Sequence, residues 1–127
     1  MEYLTPSEAA KLAENRLTDP YKEHLILLSF NVKGRVLGAD TISIGTLDSN
    51  LVHPREVFLS AIRRHAASVI IVHNHPSGDL VPSDNDEEVT KRIVTAGKIL
   101  GITVTDHLII GGGKYLSFQE QGLLHES

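Results

Sequence analysis

The pattern of apolar and polar positions predicts strands and helices that alternate along most of the chain. Positions 23–30 are almost continuously apolar after the first two, which is typical of a central strand covered on both faces. Positions 35–44 predict a second, less regular strand with a bulge at a glycine, joined to the first by a short turn. Another apolar run begins at position 68 and predicts a buried strand that ends at His75.

Three segments carry the start signals of helices. A capping box between Thr5 and Glu8 opens the first, which we expect to cover residues 5–16. Pro54 opens the second, because proline is favoured at the first helical position. Ser83 opens the third, whose apolar residues keep helical spacing until a glycine ends it.

The order of these elements predicts the fold class. Positions 102–110 and 115–118 predict two final strands on either side of a three-glycine turn. Paired strands followed by helix, strand, helix and strand indicate an α/β fold, a mixed β-sheet flanked by helices. The strands beginning at 68 and 102 are joined by a helix, so they should form a parallel pair with a right-handed crossover. A length of 127 residues predicts one domain over 1–127.

Composition narrows the classes of protein to consider. No apolar run approaches the length of a membrane span and no cleavable hydrophobic start is present, so we expect a soluble, cytoplasmic protein. The net charge of −4 gives no general attraction to nucleic acid, and a charged helix face accounts for Arg55, Arg63 and Arg64 better than a basic patch. Because cysteine is absent, any metal must be held by His, Asp or Glu.

The residues with the clearest chemistry lie between the third apolar strand and the third helix. His73 and His75 end the strand, and their spacing in an extended chain points both imidazoles to one face, roughly 6.5–7 Å apart at Cα. After a turn, Asp86 lies on the first turn of the helix and can reach back. Two imidazoles and one carboxylate leave zinc a fourth position for water, which is typical of catalytic zinc.

Such a site needs a second carboxylate. Zinc lowers the pKa of its bound water toward ~7 and polarises a carbonyl oxygen. A nearby carboxylate then takes the proton of the water and passes it to the leaving amine. Four candidates are Glu23, Glu56, Asp79 and Asp84. Spacing alone does not choose among them.

These residues carry a family resemblance. The pattern His73-x-His75, seven residues, then Ser83-x-x-Asp86 resembles in full the JAMM motif of MPN-domain zinc metalloproteases. The flanking segments are similar to the bacterial RadC family in particular: Pro-Arg-Glu-Val at 54–57, His-Asn-His-Pro-Ser-Gly at 73–78 and Asp-His-Leu-Ile-Ile-Gly-Gly-Gly at 106–113. The resemblance covers nearly everything from about residue 21 onward.

The resemblance implies a three-layer, cytidine-deaminase-like fold of the JAB/MPN type. It implies one zinc ion on His73, His75 and Asp86, with water as the fourth ligand. It also implies an early-strand glutamate as general acid/base, a place that Glu23 takes, and a hydrogen bond from Ser83 to the oxyanion of the tetrahedral intermediate. The implied reaction is hydrolysis of a peptide or isopeptide bond in a peptide or protein substrate.

Structural explanations compete with these roles. Ser83 and Asp86 also form a capping box, which competes with metal binding for Asp86 and explains the serine about as well as catalysis does. If the resemblance is set aside, Glu23 is better explained as a solvated residue at a strand end. His24 faces the opposite side of the strand from Glu23. His107 is better explained as a packed or hydrogen-bonded histidine than as a functional one.

Two other classes of function share part of this pattern. Zinc nucleobase deaminases share the expected fold, but they need Pro-Cys-x-x-Cys and this chain has no cysteine. The alternative is a DNA-repair-associated or assembly module of the RadC type with little or no peptidase activity. RadC-like proteins commonly carry an N-terminal helix-hairpin-helix-like region associated with DNA, which this chain begins too late to hold, either as part of a longer protein or as a naturally short member. We therefore expect neither nucleic-acid nor membrane binding from these residues.

Overall fold

The computed structural model describes residues 4–48, 50 and 52–124. Within them the elements follow the predicted order, with bounds that differ from the predictions by one or two residues. They are α1 (Pro6–Glu14), β1 (His24–Phe30), β2 (Val36–Ile44), α2 (Pro54–Arg63), β3 (Ser68–Asn74), α3 (Asp84–Leu100), β4 (Thr103–Gly111) and β5 (Lys114–Ser117). None of the helices in these ranges combines the length and the apolar character that a membrane crossing requires.

The five strands form one mixed sheet in the order β2-β1-β3-β4-β5. Strand β1 is antiparallel to both of its neighbours, β3 and β4 are parallel, and β5 is antiparallel to β4. The predicted α/β class and the predicted parallel pair joined by a helix are therefore confirmed. Every residue of β1 is buried, which confirms its prediction as a central strand.

The helices cover both faces of the sheet and produce three layers. Helix α1 lies on one face, where small side chains let it pack closely against β1, β4 and β5. The buried residues on this face include Ala9, Ala10, Ala13, Ile26, Leu28, Val72 and Leu108. Helices α2 and α3 cover the other face with a larger apolar core that includes Leu25, Leu27, Val57, Phe58, Ile71, Val89 and Ile93. The site described below lies at the edge of this second core.

Strand β2 is irregular, as its sequence predicts. It carries an extra residue relative to β1 at Ile42 and another at Leu37, next to Gly38. A Cβ on Gly38 would lie 2.1 Å from the guanidinium of Arg64, so a larger residue here would displace that side chain. That guanidinium donates to both carboxylate oxygens of Asp40, at 2.7 and 2.9 Å, and so ties the end of α2 to β2.

Two glycines at the β4–β5 connection have a conformational role. Gly112 and Gly113 both have positive φ, +57° and +75°, which a two-residue hairpin turn of this handedness requires. Gly111 belongs to β4, so the turn uses two of the three glycines. A Cβ on Gly111 would lie 2.8 Å from the carbonyl oxygen of His75, so this glycine allows the end of the histidine segment to lie against β4.

His107 is packed in the interior beneath α3. Its Nδ1 donates to Thr90 Oγ1, whose hydroxyl in turn donates to the carbonyl oxygen of Asp86 at 2.9 Å. The ring stacks on Phe118 with centroids 4.3 Å apart. Burial disfavours the charged imidazolium and lowers the pKa of His107 to about 3.

The contact between α3 and the start of β4 generates a first prediction. A Cβ on Gly97 would lie 2.4 Å from the carbonyl oxygen of Ile102 and 3.2 Å from Phe58. Glycine to alanine in a helix normally stabilises by up to about 1 kcal/mol. Here we expect Gly97→Ala to lower the free energy of unfolding by about 1–3 kcal/mol, measured by urea denaturation. Unchanged or increased stability would contradict the close packing.

The buried imidazole generates a second prediction, on pH. Because the folded-state pKa of His107 is about 3 and the unfolded value is about 6.5, the unfolded state binds the extra proton between these values. The free energy of unfolding should therefore reach its full value above pH 6.5. It should decline as the pH falls toward 3, by up to about 1.4 kcal/mol per pH unit. Urea denaturation of the metal-free protein with a chelator should show this slope, and His107→Gln should reduce it. Equal slopes in the two proteins would refute the assignment.

Candidate metal centre

The two histidines of the predicted metal site lie at the end of the central strand β3. His73 points toward the core beneath α2 and α3 and is 1% exposed. His75 follows the strand and stays aligned with β4, because its backbone N–H donates to the carbonyl of Ile110 at 2.8 Å. The two rings meet edge to face with centroids 4.9 Å apart. The strand therefore presents both imidazoles together, as their spacing predicts.

The carboxylate of Asp86 faces both rings from the first turn of α3. Its Oδ1 lies 3.1 Å from His73 Nδ1, and its Oδ2 lies 3.0 Å from His75 Nε2. Oδ2 also accepts the backbone N–H of Ser83 at 2.8 Å, which completes the predicted capping box. One buried carboxylate thus caps the helix and faces the imidazoles at once, so the two roles that the sequence sets in competition are compatible.

The surroundings of Asp86 keep it ionised. Burial by itself opposes the charge, but the close contact with His73, the N–H of Ser83 and the electrostatic effect of the two imidazoles together hold the pKa of the Asp86 carboxyl well below its usual range. At neutral pH this group is therefore an anionic acceptor between two nitrogen bases. That is the state in which a carboxylate binds a divalent cation.

The hydrogen bonds of the imidazoles leave nitrogen atoms for a metal. His75 Nδ1 donates to the carbonyl of Asp79 at 2.6 Å, and a carbonyl only accepts, so Nε2 keeps its lone pair. His73 Nδ1 is buried and has no hydrogen-bond partner. His73, His75 and Asp86 each offer a ligand atom within 4.8 Å of the others. This donor set fits a divalent metal, and the group could hold one ion.

Glu23 stands beside this group, immediately before β1. Its Oε1 lies 3.1 Å from His73 Nε2, and its Oε2 accepts the backbone N–H of Leu47 at 3.1 Å. The side chain is 26% exposed, so it borders both the buried group and solvent. One oxygen is anchored by the loop after β2, and the other faces the site.

The other three candidate carboxylates have different surroundings. Glu56 is exposed on the first turn of α2, and Asp84 is exposed at the start of α3. Asp79 uses its carboxylate within its own loop, where Oδ1 accepts the N–H of Val81 at 3.0 Å. Spacing left four carboxylates as candidates for the proton acceptor. The structure favours Glu23, because its carboxylate contacts a histidine of the group.

Ser83 occupies the N-cap of α3. Its Oγ accepts the backbone N–H of Asp86 at 3.1 Å, and the residue is exposed. The capping role that the sequence predicts is confirmed. A hydroxyl that accepts one hydrogen bond still carries its own proton, so capping leaves Ser83 able to donate to a ligand.

Two clefts open beside the site. One, of about 490 Å³, includes Glu23 in its lining, together with Ile44 and Thr46 at the end of β2. The other, of about 250 Å³, includes His75 and the glycine turn after β4. Tyr21 and Pro76 line both. The first cleft therefore borders the site at Glu23, and the second borders it at His75.

Sequence reasoning missed Asn74, which lies between the two histidines. Its side chain is buried and binds two backbone groups of the first strand segment: Oδ1 accepts the N–H of His24 at 2.5 Å, and Nδ2 donates to the carbonyl of Lys22 at 2.9 Å. The available signal was an amide in an apolar strand, because a buried amide is costly without partners. The N–H of Leu47 was missed too, and a backbone donor leaves no sequence signal.

His24 lies apart from the metal group. It is buried on the α1 side of the sheet, as the alternation of side chains along β1 predicts. Its Nδ1 donates to the carbonyl of Lys22 at 2.9 Å, and its Nε2 accepts the N–H of Thr18 at 3.3 Å. These bonds fix the loop that leads into Glu23.

Comparison with known proteins matches residues 3–123 to the family described as RadC-like JAB domain. A UPF0758 protein of Desulforamulus reducens is 52% identical over 119 residues, which cover 94% of this chain and 52% of the relative. UPF0758 proteins of Caldanaerobacter subterraneus and Bacillus cereus are 51% and 50% identical over 118 residues each, covering 93% of this chain and 51% and 52% of the relatives. The chain spans about half the length of these relatives. A match over nearly the whole chain places it in a family, and the chain belongs to the RadC-like JAB domain family.

Proposed function

We propose that this protein is a zinc-dependent hydrolase of the JAMM type that cleaves peptide or isopeptide bonds. The observation that carries the proposal is the buried Asp86 carboxylate facing His73 and His75, with a second carboxylate, Glu23, 3.1 Å from His73. Two imidazoles and one carboxylate are a ligand set of catalytic zinc sites, which leave one coordination position open. The chain has no thiolate that would close the site.

The proposed chemistry divides between the metal and the protein. Zinc, when bound by these three residues, supplies a water with a pKa near ~7 and a Lewis acid for the substrate carbonyl. Glu23 is the general acid/base, because its Oε2 is held by Leu47 while Oε1 faces the site. Oε1 would accept a proton from the attacking water and pass it to the nitrogen of the leaving amine.

Ser83 is proposed to stabilise the oxyanion. Its Oγ is fixed at the start of α3 by the N–H of Asp86, and its own proton remains available. Removing one such donor costs roughly 3 to 4 kcal/mol in enzymes that stabilise a tetrahedral intermediate. The same hydroxyl would then cap the helix by accepting one hydrogen bond and stabilise the oxyanion by donating another.

A peptide or protein substrate fits the surface around the site. The cleft beside Glu23 has an apolar rim, formed by Tyr21 and Ile44, which are 88% and 51% exposed. Pro76 borders the clefts on both sides of the site. We infer that a bound peptide would lie across Tyr21 and Pro76, which line both clefts, with its backbone near His75.

Metal content tests the ligand set. Protein purified without added metal should contain close to one zinc ion per chain by elemental analysis. Asp86→Asn removes the charge that faces both imidazoles, so we expect zinc affinity to fall by at least roughly tenfold in competition with a chelator. Asp84→Asn, exposed on the same helical turn, serves as the control and should keep wild-type affinity. Equal affinities in Asp86→Asn and wild type would refute the assignment.

Substitution of the second carboxylate tests the reaction. Glu23→Gln keeps the size and the contact with Leu47 but cannot take a proton, so zinc should stay bound while hydrolysis falls by roughly 10²- to 10⁴-fold. The assay is cleavage of a peptide library by zinc-loaded protein, with Glu56→Gln as the control. Undiminished cleavage by Glu23→Gln would contradict the proposal. Cellular activity that survives in this variant would instead favour a RadC-type module without peptidase activity.

A further inference from the structure

Asn74 bridges β3 to the segment that carries Glu23. It lies between the two histidines, and the alternation of the strand places its side chain on the opposite face, where it is 3% exposed. Its amide binds the N–H of His24 and the carbonyl of Lys22. These two backbone groups belong to the residues on either side of Glu23, about 50 positions earlier in the chain.

The amide acts where the backbone pairing stops. The ladder between β1 and β3 runs from Phe30 opposite Ser68 to Leu25 opposite His73. Beyond that pair the side chain of Asn74 takes the place of a backbone partner and holds the incoming chain to β3. On the other side, the carbonyl of Glu23 accepts the N–H of Gly45 at 2.8 Å. The backbone around Glu23 is therefore held from both neighbouring strands.

We propose that Asn74 is a positioning residue for Glu23, a role that rests on the proposed function of that carboxylate. The two bonds of the amide set the place and direction of the Glu23 backbone relative to His73. The carboxylate can then reach Leu47 and the site together. Catalysis depends steeply on such alignment, since a displacement of about 1 Å can cost roughly 10²-fold in rate.

A structural role alone would have a different signature. Two buried hydrogen bonds contribute to stability wherever they are, and losing them leaves the backbone groups of Lys22 and His24 without partners. Such a loss lowers stability and leaves the turnover of the folded protein unchanged. A positioning role lowers turnover in protein that is folded and loaded with zinc.

The experiment compares two asparagines whose side chains bind backbone groups just beyond the opposite ends of β1 or at its first residue. Asn74→Ala removes both bonds of the amide, and Asn74→Asp, of equal size, keeps the acceptor for His24 but places a charged carboxylate oxygen against the carbonyl of Lys22. The control is Asn31→Ala, because Asn31 Oδ1 also accepts two backbone N–H groups, those of Lys33 and Arg35, at 2.9 and 3.0 Å. Each zinc-loaded variant is assayed for zinc content, kcat and KM on a peptide that the wild type cleaves.

We expect Asn74→Ala to lower kcat by roughly 10- to 100-fold, with KM and zinc content close to the wild type. Asn74→Asp should also lower kcat, and it supports the test if the alanine variant does not fold. Asn31→Ala should keep kcat within about twofold. Wild-type kcat in both Asn74 variants would overturn the proposal. Loss of zinc would also overturn it, because the amide would then act on the ligands.

A double variant identifies the residue through which Asn74 acts. If the amide works by positioning Glu23, adding Asn74→Ala to Glu23→Gln should lower the residual kcat no further. If the fold-loss of kcat in the double variant equals the product of the two single losses, the residues act independently and the proposal is overturned.

Amide hydrogen exchange separates this proposal from the proposed function, because it needs no substrate. The N–H of Leu47 donates to Glu23 Oε2, so its exchange reports whether the carboxylate is held. Exchange at Leu47 should be at least roughly tenfold faster in Asn74→Ala than in the wild type and unchanged in Asn31→Ala. If the wild type cleaves no peptide but exchange at Leu47 is faster in Asn74→Ala, the proposed hydrolase is refuted and the positioning of Glu23 by Asn74 stands. Unchanged exchange in Asn74→Ala would overturn the positioning role.

Discussion

The carboxylate of Asp86 joins the end of β3 to the beginning of α3, and the rest of the site is arranged around this contact. A buried charge is costly unless it is paired and hydrogen-bonded. Here the charge faces His73 and His75 and accepts the N–H of Ser83. Moving the strand end away from the helix start would therefore take Asp86 away from the imidazoles that it faces. The same contact caps the helix and gathers the atoms that could bind a metal.

The antiparallel pairing of β1 with β3 supplies the remaining part of the site. In such a pair the beginning of one strand lies beside the end of the other. Glu23, which comes just before β1, is thus brought to His73, the penultimate residue of β3, although the two are 50 positions apart in sequence. The loop after β2 closes the arrangement, because Leu47 donates to the same carboxylate.

Both faces of β3 contribute to one site. His73 faces the core beneath α2 and α3, and Asn74 faces the side covered by α1. Successive residues of a strand point to opposite faces, so the histidine contacts the carboxylate of Glu23 while the asparagine holds its backbone.

Much of the fold and the core of the site follow from short-range patterns. The element order, the central place of β1 and the glycine turn follow from hydrophobic periods and turn residues. The caps at Thr5 and Ser83 also follow, because capping couples residues three positions apart. The candidate metal group was predictable for the same reason: its three residues lie in one short stretch across a single strand–turn–helix unit.

What the sequence by itself determined, then, is every feature set by the 2.0- and 3.6-residue periods or by a local turn. Only the tertiary structure decided which carboxylate contacts His73, that Asp86 caps and faces the imidazoles at once, and that Asn74 holds the chain around Glu23. The contacts of Glu23 and Asn74 join residues about 50 positions apart through the register of the sheet. Register depends on how all the strands pack together, so no local pattern in the chain encodes it.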